Sequence, residues 1–151
     1  MLASCAAPPA PPPPPTVLNV TLKAMARVNP GTDGQAAPVV LRLYQLATPA
    51  NFMNAEFFAL YNQDSTVLGQ DLVQREDVLL EPGGTKTETL RPKDQVKALA
   101  VFAGFRDFQH TTWRGSIDVP ANQTTSVTIV AGPQGVTILP AAPAPIAPSG
   151  H

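Results

Sequence analysis

The sequence has one cysteine, Cys5, and two histidines, His110 and His151, among 151 residues. A lone cysteine precludes an internal disulfide, so the fold must rest on its apolar core. Zinc or iron centres need three or four converging ligands, which one mid-chain histidine without a spare thiol cannot supply. Charged residues make up only 14% of the chain, with 10 basic and 11 acidic side chains interspersed and a formal net charge of −1. There is no basic run or stripe, so nucleic acid is not an expected partner. No stretch approaches the roughly 18 consecutive apolar residues of a spanning helix.

Catalytic patterns are also missing. Glu76 and Asp77 are adjacent in a predicted strand, so they point to opposite faces and cannot share acid–base work. No serine sits in a nucleophile elbow. Gly83-Gly84 lacks the lysine, serine and helix of a phosphate loop, and no acidic ladder is spaced for calcium. His110 reads as an ordinary loop residue. We expect no enzymatic activity, no cofactor and no metal.

Proline, by contrast, is abundant. Of 18 prolines, seven lie in Pro8–Pro15 and four in Pro140–Pro148, which leaves Thr16–Leu139 as the folded stretch. The N-terminal run favours polyproline II at about 3.1 Å per residue, a spacer of roughly 30 Å between Cys5 and Thr16. Before it stands Leu2-Ala3-Ser4-Cys5, which reads as the end of a bacterial lipoprotein signal, with Cys5 the acylation site. Such a signal also needs a basic and an apolar region. Because Met1 directly precedes Leu2, this reading requires both upstream of Met1, and the polypeptide as it stands is not expected to be exported. The expected domains are a signal remnant with the acylation cysteine (1–5), a Pro-rich linker (6–15), a β-sandwich (16–140) and a disordered Ala/Pro-rich tail (141–151).

Thr16–Ala26 alternates, with Leu18, Val20, Leu22, Ala24 and Ala26 on one side and Asn19, Thr21, Lys23 and Met25 on the other. That is a half-buried strand. Arg27–Pro38 carries turn residues throughout, and alternation resumes in Val39–Leu46, with Leu41 and Leu43 opposite Arg42 and Tyr44. Strand, loop and strand predict a first β-hairpin. Asn54 then reads as an N-cap for a helix bearing Phe57, Phe58, Leu60 and Tyr61, with Met53 a turn earlier, expected to cap one end of a sheet. Ser65–Leu72 adds a further helical turn.

Strand signals return after Val73, where Val78 and Leu80 alternate with Asp77 and Leu79. A turn at Glu81–Gly84 follows, then Thr85–Leu90, a polar pattern suited to an edge. Val96–Phe105 is apolar on both faces and predicts a central strand. Trp113–Val119, Thr124–Ala131 and Val136–Leu139 complete seven or eight strands, which argue for an all-β sandwich. Arg106, Asp107, Trp113 and Arg114 form the densest polar-aromatic cluster. Trp113 is expected at the sandwich edge, with Arg106 and Asp107 paired at a strand end.

The ordered series Asn29-Pro30, Gly34, Pro38–Leu46, Ala55–Tyr61, Leu68-Gly69, Pro82-Gly83, Ala103–Asp107 and Trp113-Arg114 resembles the TssJ (SciN) family. These are outer-membrane lipoproteins of the type VI secretion system, and the resemblance covers essentially all of Thr16–Leu139. It implies a two-sheet transthyretin-like β-sandwich with a small helical insertion after the second strand. It also implies a domain at the periplasmic face of the outer membrane, moored by acyl chains on Cys5. The implied partner is the periplasmic C-terminal region of the inner-membrane protein TssM. The family's best-known contact is the loop between the first two strands, which assigns a partner-binding role to Asn29, Pro30, Gly31, Asp33 and Gly34. The alternative is a periplasmic or surface sandwich that binds a small molecule or glycan through Tyr44, Tyr61 and Trp113. A transthyretin-like hydrolase is disfavoured by the shortage of histidines.

Overall fold

The computed structural model describes residues 8–141. Cys5, the rest of the signal remnant and residues 142–151 of the tail lie outside them, as do residues 6–7 of the linker. In chain order the elements are β1 (Val17–Ala24), β2 (Val39–Leu46), α1 (Ala50–Asn54), α2 (Phe57–Leu68), β3 (Leu72–Leu80), β4 (Thr85–Leu90), β5 (Ala98–Ala103), β6 (Arg114–Asp118), β7 (Thr124–Gly132) and β8 (Gly135–Pro140). The strands form two four-stranded sheets, ordered β4-β1-β7-β8 and β3-β2-β5-β6. This is the all-β, transthyretin-like sandwich that the sequence predicts, with its helical insertion after β2.

The inner faces follow the alternation. Leu18, Val20 and Leu22 of β1 and Leu41 and Leu43 of β2 meet Leu99 and Val101 of β5 and Val127 and Ile129 of β7 in one aliphatic cluster. Burial of this apolar area, at about 25 cal/mol per Å², is the main force holding the two layers together. β4 is an edge strand with a mostly exposed, threonine- and charge-rich surface. β5 is an inner strand, and all six of its residues are buried.

Two expectations about connectivity and helix packing fail. β1 and β2 do not form a hairpin: β1 lies between β4 and β7, and β2 between β3 and β5. Each strand buries its apolar face against the other layer, so Arg27–Pro38 crosses the roughly 10 Å between sheets instead of turning within one. β1 also ends at Ala24, because the chain turns with Val28 N–H donating to the Met25 carbonyl (3.1 Å); this leaves Ala26 exposed.

The second failure concerns the helices. Asn54 is not an N-cap but the last residue of α1; Glu56 takes the cap position of α2 with extended backbone (φ −82°, ψ 158°). α2, bent at Gln63, does not cap one end of a sheet. It lies over the outer face of β3-β2-β5-β6. The cause is a second apolar surface on alternate residues of β2 and β5: Tyr44, Leu46, Ala98, Ala100 and Phe102 cover themselves with Phe52, Phe57, Leu60 and Leu68.

That covered face encloses charge. Arg42 is 8% exposed and Asp64 6%. The Arg42 guanidinium meets Asp64 at 3.4 Å and Asp77 at 3.2 Å and donates to the Leu60 carbonyl at 3.1 Å. Arg75 bridges the same two carboxylates, and the Tyr44 hydroxyl donates to Asp64 Oδ2 at 2.9 Å. Burial pushes the Tyr44 hydroxyl up to about 12. Burial also opposes ionisation of Asp64, but the Tyr44 hydrogen bond and the Arg75 and Arg42 charges outweigh it and hold the carboxyl below its ordinary range. Every member has a partner, the condition on which a buried network is tolerated.

Candidate partner-binding loop

The loop Arg27–Pro38 is pinned at both roots. Val28 is fully buried, and its carbonyl accepts from Ala37 N–H at 3.1 Å. Asn29 adopts φ 51°, a left-handed backbone that asparagine tolerates better than most residues. Its side chain is 5% exposed. Nδ2 donates to the Pro38 carbonyl at 2.9 Å, while Oδ1 accepts from Arg106 N–H at 2.8 Å. One amide thus closes the loop's neck and joins it to the β5–β6 connection.

Beyond that neck, Gly31–Gly34 form a turn, with Gly34 N–H donating to the Gly31 carbonyl at 2.9 Å and Gly34 at φ 78°. Asp33 Oδ1 accepts from Gln35 N–H at 3.0 Å. Residues 32–36 are exposed, and Pro30 and Gly31 are half-buried. The five residues that sequence assigns to partner binding therefore divide. Asp33 and Gly34 stand at an exposed tip, Pro30 and Gly31 form its flank, and Asn29 is an internal clamp.

Sequence reading singled out Arg106 and Asp107 but not that their loop lies against this one. Pro30, Gly31 and Thr32 line a groove of about 360 Å³ with Arg106, Asp107 and His110. A Cβ at position 31 would stand 2.8 Å from Arg106 Nη1, so glycine here lets the guanidinium lie against the loop backbone. Arg106 and Asp107 do not form the expected pair; Asp107 Oδ1 stands 2.7 Å from His110 Nδ1 instead. Asn29 and Arg106 lie 77 positions apart, a separation that no local pattern reports. The β7–β8 turn joins the same end of the sandwich, with Thr112 N–H donating to the Gln134 carbonyl at 3.1 Å.

The linker leaves from the opposite end, where Asn122 donates to the Pro14 carbonyl and to Thr16 Oγ1. The alternative ligand surface does not assemble. Tyr44 is fully buried with its hydroxyl engaged by Asp64, whereas Tyr61 is exposed on α2. Trp113 packs beside edge strand β6, against Phe57 and Phe102. Among the described residues, no three His, Cys, Asp or Glu side chains come together.

Residues 16–134 match the family of type VI secretion lipoproteins that includes VasD, EvfM and TssJ. The T6SS lipoprotein TssJ1 from Pseudomonas aeruginosa is 38% identical with a TM-score of 0.83, over 87% of this chain and 100% of its own. Serratia marcescens Lip, a membrane-bound component of the type VI secretion system, is 27% identical with a TM-score of 0.78, over 85% of this chain and 100% of its own. A chain in the solved structure of the T6SS protein TssM C-terminal domain from EAEC matches at 26% identity and a TM-score of 0.69, over 83% of this chain and 98% of its own. No curated protein sequence matches.

Proposed function

The chain belongs to the type VI secretion lipoprotein family, TssJ (SciN), and from that premise we propose that it is moored in the outer membrane through acylated Cys5 and grips the periplasmic C-terminal region of a TssM-like inner-membrane protein. The family is one of structural secretion components rather than enzymes. The observation that carries the reading is the placement of the two ends. The Pro-rich linker enters at one end of the sandwich, and the Asn29-clamped loop stands at the other. A chain tethered through Cys5 would hold Pro30–Gly34 away from the membrane and toward a partner reaching across the periplasm.

The physics fits such a role. A single acyl chain, at about 0.8 kcal/mol per buried CH₂, gives marginal membrane binding, and several give a stable anchor. Tethering raises the loop's effective concentration near its partner. A neck closed by Asn29 and a tip closed by its own turn leave little freedom to lose on docking.

Deleting Gly31–Gln35 is expected to abolish capture of the TssM periplasmic region while thermal unfolding stays cooperative. Undiminished capture would refute the loop assignment. With a leader restored, Cys5→Ser is expected to release the protein into the soluble periplasmic fraction. Retention in membranes lacking the partner would refute the lipid anchor.

A further inference from the structure

The two long edges of the sandwich close differently. At one, a parallel bridge joins Thr112 to Gly135, and Ile138 lies against Gly115. At the other, β3 and β4 do not pair. A cleft of about 550 Å³ opens between them, with Gln45, Gln74, Glu76 and Glu88 in its lining. All four residues occupy inner-face positions, because side chains two apart share a face. On β3, Gln74 and Glu76 lie opposite Gln45 and Leu43 of β2, in step with the buried Val78 and Leu80. On β4, Glu88 lies opposite Val20 of β1, two residues before the buried Leu90. Alternation thus delivers acids and amides where the rest of the sandwich has aliphatic side chains.

Inward-pointing charge on an edge strand protects it from pairing with another chain. That accounts for one glutamate at this seam, but not for two set face to face, nor for the amide beneath them. The Glu76 carboxyl is within hydrogen-bonding reach of Glu88; burial, and then the Glu88 charge, raise it above its ordinary range. Neither glutamate has an ion-pair partner among the described residues, where Asp64, Asp77 and Asp107 hold the ion pairs. Arg75, which borders the cleft, is taken by Asp64 and Asp77. Gln45 is only 5% exposed. Its amide has no hydrogen-bond partner among the described residues, and what remains accessible of it opens on the cleft. Buried charge and buried amide both cost free energy unless something pairs with them, and one cation would serve all three groups.

We propose that this seam binds a hard divalent cation, calcium in preference to magnesium, between the carboxylates of Glu76 and Glu88 with the Gln45 carboxamide oxygen at its floor. The donors are oxygen throughout, which suits such an ion. The cleft leaves room for waters to complete the roughly six to eight ligands that calcium takes, whereas magnesium demands a stricter octahedron. Two carboxylates place the affinity in the range of about 10⁻⁴–10⁻³ M. Bound there, the ion staples one sheet to the other at the edge that lacks a bridge. Sequence reading expected no metal because a calcium loop is a local acidic ladder, and these glutamates belong to different sheets. The seam is separate from the Arg27–Pro38 loop, so the inference does not rest on the proposed function.

The full chain, stripped of metal with chelator, is titrated with calcium chloride at fixed ionic strength while thermal unfolding is followed. A saturable rise in Tm is expected, with a midpoint between about 0.1 and 1 mM and reversal by EGTA. Amide exchange should slow over residues 74–76 and 88–90, and magnesium chloride should protect less. Glu76→Gln/Glu88→Gln should abolish the calcium response while its metal-free Tm equals or exceeds that of the parent, since the opposed charges are gone. This separates loss of the site from loss of the fold. Gln45→Met, of similar length, should weaken calcium binding severalfold. A parent Tm indifferent to calcium would overturn the inference. So would an undiminished response in the double variant, which would reduce the effect to general screening, or protection by spermidine and not by calcium, which would give the carboxylates to an organic cation.

Discussion

The sheet β3-β2-β5-β6 has two buried faces of different chemistry. Its inner face, with Leu41, Leu43, Leu99 and Val101, meets the other sheet through aliphatic side chains. Its outer face, with Arg42, Tyr44, Ala100 and Phe102, is roofed by α2 with aromatic rings and a charged network. The inner face requires only complementary shape, because dispersion and apolar burial are non-directional. The outer face is directional. Arg42, Tyr44 and Asp64 must meet at hydrogen-bond distances, and this fixes where α2 can sit. An aliphatic interior makes the sandwich; a polar interior positions the helix on it.

Two substitutions bear on that contrast. Asp64→Ala strips Arg42 and the Tyr44 hydroxyl of a shared partner while leaving them buried, and is expected to lower unfolding free energy by about 3–5 kcal/mol. Ile129→Val, on the aliphatic side, is expected to lower it by only about 0.5–1.5 kcal/mol. Urea melts of both at neutral pH make the comparison, and equal losses would end it.

The second test is one of pH. Asp64 is held below its ordinary value of 3.8. Its contribution is therefore complete above 3.8 and is lost as pH falls through its lower folded value. The parent chain should lose stability in that acidic window, whereas Asp64→Asn, with nothing to titrate there, should lack this component. Parallel acid-dependent curves would assign no such role to the network.

The smallest effect is expected at the open seam between the edge strands. Glu76 and Glu88 face each other there; burial and then the Glu88 charge raise the Glu76 carboxyl above its ordinary 4.5. The penalty for a raised acid is present above its folded value and is absent below 4.5. Glu76→Gln should thus stabilise the domain at neutral pH by no more than about 0.5 kcal/mol, and the gain should vanish below 4.5. A gain that persists in acid would assign it to packing.

How much of this was legible in the sequence follows from the same contrast. Alternation marks β1, β2 and β4 almost to the residue, because one face is wet or one side is aliphatic. It puts Arg42 and Tyr44 opposite Leu41 and Leu43 but does not reveal that a helix covers them. It also cannot reveal that β1 pairs in parallel with β7, more than 100 positions away, so the predicted hairpin gave way to a crossover. At the candidate site, Asn29 to Gly34 were visible as turn chemistry and as a family pattern. The clamp from Asn29 to Arg106 was not, because a buried asparagine and an exposed one have the same letter.

β1 is the strand that directly joins the linker to the Arg27–Pro38 loop. It lies between β4 and β7, registered against β4 from Leu18 to Lys23 and against β7 from Val17 to Ala24. Tension between a lipid at one end and a partner at the other would act lengthwise on this strand, across ladders whose bonds run sideways between strands. Those bonds would be loaded in shear and would have to yield together. A connector built on a central strand resists being pulled apart, where the same connector built on an edge strand would peel.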